Sequence, residues 1–154
     1  MRFKKFLEEL EEDKKYYHGS FNKLSVGTIM QGRGQDYEDT WGKNPWHRIL
    51  EKHRPKDILA HSQAVFMVDD IDDIDLAGGA TNWIFRLKPL GPVERHDINW
   101  TSEIESLLSE GHGEADKEVI EAAKNYWTGE PHPNESAWEY LTPSAKIVEV
   151  EKGF

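Results

Sequence analysis

Cysteine is absent from this chain of 154 residues, which excludes disulfides, thiolate metal sites and a cysteine nucleophile. Long hydrophobic runs are missing as well. No apolar stretch approaches the ~20 residues that cross a bilayer. The opening Met1-Arg2-Phe3-Lys4-Lys5-Phe6-Leu7 turns acidic at once, unlike a secretory signal. Positive charge is scarce: 19 Lys and Arg stand against 29 Asp and Glu, a net charge of −10. A field of that sign repels phosphate backbones and disfavours nucleic acid as a partner, while it serves solubility. Together these absences predict a cytoplasmic protein.

Several site chemistries are also missing. The seven histidines are dispersed, without HExxH or paired ligand spacing, so no metal site is expected. Asp69, Asp70, Asp72, Asp73 and Asp75 lack the glycine and terminal glutamate of a calcium loop. Gly32-Arg33-Gly34 lacks the rest of a phosphate-loop signature. No serine sits in a G-x-S-x-G elbow.

What is present is aromatic: six Trp, six Phe and five Tyr, enough to build a core and too many for a disordered chain. The length suits one domain, and residues 1–154 are read as such. Phe3, Phe6, Leu7 and Leu10 recur at helical spacing and predict an N-terminal amphipathic helix within residues 1–15. Tyr16-Tyr17 reads as a short strand ending at His18-Gly19-Ser20, and residues 31–45 as a glycine-rich surface loop. Pro45 opens a helix that Pro55 ends. Strands are expected at Gln63–Val68, Trp83–Lys88 and Lys146–Val150, and two helices around Ile104–Leu108 and Val119–Trp127. Strands and helices do not alternate regularly, which predicts an α+β fold.

Three positions are candidates for chemistry. His18, beside a glycine whose backbone a flat ligand can approach, could donate a hydrogen bond to a ribose hydroxyl or merely cap a turn. Glu139, between Trp138 and Tyr140, could accept from a ribose hydroxyl and stabilise an oxocarbenium-like transition state, or be a solvated surface glutamate. Glu135, four residues earlier, competes with it. Phe66 is either a core residue or the face on which a nicotinamide ring stacks.

In this order, Tyr17-His18-Gly19-Ser20, Gln63-Ala64-Val65-Phe66 and Trp138-Glu139-Tyr140-Leu141-Thr142-Pro143 resemble the motifs of the ADP-ribosyltransferase superfamily. The resemblance is to its histidine-bearing branch, which includes diphtheria-type toxins, poly-ADP-ribose polymerases and rifampicin-modifying enzymes. It implies a split β-sheet with flanking helices and NAD as co-substrate in the cleft. It also implies transfer of ADP-ribose to an acceptor, with release of nicotinamide. His18, Gly19, Ser20 and Phe66 would bind NAD, and Glu139 would be catalytic. A second register, on the segment Ile84–Glu94 that resembles the rifampicin-modifying branch, implies Asp97 instead. Phe66 stands where relatives carry a stacking tyrosine. Ala137 stands where arginine-, cysteine- and asparagine-modifying relatives carry Glu or Gln, which argues against those targets. A phage or bacterial conflict system would be a fitting source. An inactive binding or inhibitor protein on the same fold, or an NAD glycohydrolase toxin, are the alternatives.

Overall fold

A computed structural model of the chain describes residues 14–75 and 79–153. The helix expected within residues 1–15 falls outside them, except for Lys14 and Lys15, which have no regular structure. The described residues form an α+β protein. Its strands are β1 (Tyr16–Ser20), β2 (Ile29–Gln31), β3 (Val65–Met67), β4 (Trp83–Pro89), β5 (Glu94–Asp97), β6 (Trp138–Thr142) and β7 (Ser144–Lys152). The helices are α1 (Gln35–Trp41), α2 (Pro45–Lys52), α3 (Asn99–Ser109) and α4 (Lys117–Thr128), with 3-10 turns at His61–Gln63 and Ile71–Asp73.

Two antiparallel sheets result, one ordered β1-β4-β7-β2 and the other β3-β6-β5. Their shared core follows from the two-residue period of strands. Tyr16, Phe85, Leu87, Ala145 and Ile147 of the first sheet pack with Val65, Met67 and Tyr140 of the second. The other face of the smaller sheet is covered by helices. Ile49 and Leu50 of α2, Trp100 and Ile104 of α3, and Val119, Ala122, Ala123, Tyr126 and Trp127 of α4 make a second core.

The chain changes sheets at prolines and glycines. Pro143 alone separates β6 from β7, and its fixed φ and missing N–H suit a corner where no ladder bond is made. The β4–β5 corner packs against it closely, because a Cβ on Gly91 would lie 2.9 Å from Pro143 Cγ. Helix starts and stops are local. The Asn44 side chain accepts from Trp46 N–H at 3.1 Å with Pro45 in the first turn, and Gly129 ends α4 at φ 75°. The Trp127 indole N–H donates to the Leu50 carbonyl at 2.7 Å, locking α4 onto α2.

Four segments differ from expectation. The loop expected over 31–45 contains α1, a short helix of mostly polar residues whose one buried side chain is Tyr37. β5 is Glu-Arg-His-Asp, ionisable at every position and without a hydropathy signal. β6 carries Glu139 at a buried position, which breaks the apolar run that marks an inner strand. The Gln63–Val68 strand is shorter, because Gln63 ends a 3-10 turn and pairing starts at Val65.

Gly32-Arg33-Gly34 positions α1. A Cβ on Gly32 would run into the backbone of Gln63, and Gly34 N–H donates to the Ser62 carbonyl at 2.7 Å. The loop is thereby stitched to the 3-10 turn that leads into β3. Gly32→Ala should destabilise the protein by ~1–3 kcal/mol. Gly113→Ala, whose Cβ would meet only Asp116 Oδ1 at 3.8 Å, should stay within ~0.5 kcal/mol. Urea denaturation of the two variants measures the difference.

Candidate functional site

The edges of the two sheets meet at Tyr17 and Val68, which exchange both backbone hydrogen bonds, at 2.8 and 3.0 Å. Continuing that antiparallel register would set Gly19 opposite Phe66. The strands part instead. The His18 ring reaches the gap, and its Nδ1–H donates to the Phe66 carbonyl at 2.8 Å. Strand alternation turns the N–H and C=O of Gly19 the same way as those of Tyr17, into the gap. Among the described residues nothing pairs with them there.

This geometry refines what His18 can offer. With Nδ1 committed to a carbonyl, the ring presents the Nε2 lone pair, so it accepts from a hydroxyl rather than donating to one. Burial lowers its pKa and so favours that neutral form, against the opposing effect of the Phe66 carbonyl. Gly19 also has a structural reason to be glycine, because a Cβ there would collide with the Ala80 carbonyl. The Ser20 hydroxyl oxygen accepts from Asn22 N–H at 3.0 Å, closing the turn after the strand.

Phe66 and Glu139 lie on one face of the small sheet. Phe66 pairs with Leu141, as does Glu94, and Glu139 pairs with His96, so these five side chains point the same way. That face meets α4 and α1. Tyr37 of α1 lies against Phe66 with ring centroids 5.7 Å apart and planes at 12°. The stack closes one face of Phe66. It also identifies an aromatic wall that sequence reading missed, for want of any periodicity around Tyr37.

Glu139 is buried, 8 % exposed, and receives one hydrogen bond, from the Tyr126 hydroxyl to Oε2 at 3.3 Å. Among the described residues nothing donates to Oε1. Burial pushes its pKa up to about 8, opposed by the Tyr126 hydrogen bond and reinforced by the negative charge of Asp97. Tyr126 is held in turn by His61, whose Nε2 is 2.7 Å from the hydroxyl, and by the His96 ring stacked on it at 4.7 Å. Tyr37 closes the chain, its hydroxyl 3.3 Å from His61 Nδ1.

Asp97 has a different environment. It is fully buried, yet its carboxylate accepts from three backbone amides: Asn99 and Ala137 on Oδ1, both at 3.0 Å, and His132 on Oδ2 at 2.8 Å. Those bonds fasten the 130–137 loop to the start of α3 and use the lone pairs a reaction would need. Glu135 is exposed and contributes its backbone carbonyl to Asn99 Nδ2 at 2.6 Å. An open groove of about 450 Å³ runs beside it, lined by Asn99, Glu103, His132 and Asn134 among others, and includes neither Phe66 nor Glu139. No cluster of His, Asp and Glu among the described residues is arranged to hold a metal ion, and no described helix is long and apolar enough to cross a membrane.

Neither the family models nor the curated proteins contain a match to this chain. The structure defines a class, an α+β protein of two antiparallel sheets and a helical layer, with a buried acid hydrogen-bonded to a buried tyrosine.

The two buried carboxylates make opposite predictions. Between the ordinary carboxylate pKa and about 8, the folded protein keeps a proton on Glu139 that the unfolded chain releases, so this group lowers stability as pH rises through that window. Glu139→Gln should raise Tm by at least ~3 °C near pH 9 and by less than ~1 °C near pH 5. Asp97→Asn replaces an acceptor facing backbone N–H groups with a donor and should cost ~1–3 kcal/mol at neutral pH. Calorimetry across pH reads both.

Proposed function

We propose that the protein is an NAD-dependent mono-ADP-ribosyltransferase whose cleft opens where β1 and β3 part. The observation that carries this reading is the His18 Nδ1–H bond to the Phe66 carbonyl, next to the Tyr17–Val68 bridge. Those contacts set the Tyr17-His18-Gly19 segment beside β3, and β3 pairs in turn with β6, the strand that bears Glu139. Three motifs far apart in sequence thus converge on neighbouring strands, and this convergence supports the reading.

In this reading His18 Nε2 accepts from a hydroxyl of the adenosine-side ribose, and the N–H and C=O of Gly19 take the nicotinamide carboxamide. Phe66 provides an aromatic face. Its stack with Tyr37 leaves no room for a third ring, so binding of nicotinamide between them requires α1 to move out by about 3.5 Å, one ring thickness. Glu139 accepts from a hydroxyl of the nicotinamide-side ribose through Oε1. The bond between that sugar and nicotinamide then breaks, nicotinamide keeps the electron pair, and the sugar becomes cationic. A carboxylate held in a water-poor site offsets that charge more effectively than one in water. The acceptor attacks the same carbon, and its proton passes to solvent water. The active form of Glu139 is ionised, so kcat/KM should rise with pH towards the group's pKa near 8.

Incubation with NAD labelled in the adenylate tests the reading. Label on an acceptor supports transfer, free labelled ADP-ribose alone indicates hydrolysis, and intact NAD overturns both. Glu139→Gln should lower turnover by at least ~100-fold while the NAD Kd stays within about threefold. His18→Ala should weaken NAD binding about tenfold. Full activity in Glu139→Gln with none in folded Asp97→Asn would transfer the catalytic role to Asp97.

A further inference from the structure

Tyr126 is the largest fully buried side chain among the described residues, yet its hydroxyl is turned away from the apolar helical core and towards the strand that bears Glu139. A phenylalanine would fill the same volume without a polar atom to satisfy. Three contacts keep the ring in place. His96 stacks on it with planes at 22°, His96 Nδ1–H donates to its backbone carbonyl at 2.7 Å, and His61 holds its hydroxyl at 2.7 Å. The shortest bond at the hydroxyl is therefore the one that aims it, and the longer one, 3.3 Å, goes to Glu139 Oε2.

We propose that Tyr126, aimed by His61, is the positioning residue of Glu139, fixing Oε2 so that Oε1 is the oxygen left for a ligand. This rests on Glu139 being the working carboxylate of the reading above. The hydrogen-bond directions follow from the neutral His61 ring, which has one N–H to give. When Tyr126 donates to ionised Glu139, His61 Nε2–H donates to the Tyr126 oxygen, and His61 Nδ1 accepts from the Tyr37 hydroxyl. Every proton of the chain then points towards the carboxylate. When Glu139 is protonated it can donate to the Tyr126 oxygen, Tyr126 donates to His61 Nε2, and the ring carries its proton on Nδ1. The tautomer of His61 thus follows the charge of Glu139.

Burial keeps His61 neutral, with a pKa lowered to about 3, and it keeps both tyrosines protonated, so none of the three takes the charge in place of Glu139. The groups facing this chain come from every element around it. Asp97 and Tyr126 act on Glu139, and Glu94 on Tyr126. His47, His96 and Arg54 act on His61, and Glu38, Glu51 and Arg33 on Tyr37. Among them only Tyr126 stabilises the ionised form of Glu139 by a hydrogen bond.

Tyr126→Phe keeps the ring and removes the hydroxyl. It should lower kcat for NAD about tenfold with KM within about twofold, and move the acid limb of the kcat profile to higher pH, because the ionised carboxylate has lost its donor. His61→Gln, whose amide N–H can still reach Tyr126, should retain most of the rate that His61→Leu loses. In protein labelled with 15N-histidine, the His61 signal, assigned by its loss in His61→Gln, should change from the Nδ1–H to the Nε2–H pattern as Glu139 ionises. That change should vanish in Tyr126→Phe. Turnover of NAD by the native protein, with kcat and pH profile unaltered in Tyr126→Phe, overturns the positioning role and leaves the transferase reading intact. A His61 tautomer that ignores pH also overturns it. No turnover of NAD by the native protein overturns the transferase reading and the positioning role with it, whatever the tautomer does.

Discussion

The constraint on which the arrangement depends is the single bridge between Tyr17 and Val68, after which the strands part. If the pairing had continued, Gly19 would have satisfied its backbone groups on Phe66 and the two sheets would have fused along that edge. The His18 ring takes the Phe66 carbonyl instead. A side chain in place of a backbone donor keeps the strands joined but apart. The cost is a pair of Gly19 backbone groups without a partner among the described residues, and such groups are tolerated where water or a ligand can reach them.

Burial of acids separates structure from chemistry in this fold. Asp97 and Glu139 sit on adjacent strands, both shielded from solvent, yet they are satisfied very differently. The three amides on Asp97 satisfy its oxygens and pin a loop. Glu139 has one long hydrogen bond and a pKa raised by burial, a configuration that lowers stability at neutral to alkaline pH. Strain of this kind is common where a group is kept reactive, because a fully solvated or fully paired carboxylate has little left to give a transition state.

Much of the framework was legible beforehand. The helix from Pro45 was visible from its proline and its apolar spacing, and β4 and β7 from their β-branched and aromatic content. β5 was not, since all four of its side chains are ionisable and its strand character comes from pairing with β6. α1 was hidden for a related reason. Its one anchor is Tyr37, and what makes it a helix is the close fit of Gly32 against Gln63 and the stack on Phe66, both remote in sequence.

By itself the sequence determined the mixed class, most of the elements and the three positions, His18, Phe66 and Glu139, at which chemistry was to be sought. These are properties of periodicity, turn residues and short motifs, which act over a few residues. Only the tertiary structure decided that Asp97 is spent on backbone amides, that His18 presents an acceptor, and that Tyr126, His61 and Tyr37 stand behind Glu139. Those facts depend on which way a hydrogen bond points and on how much water remains around a charge. Both are set by neighbours distant in the chain, so no local pattern could record them.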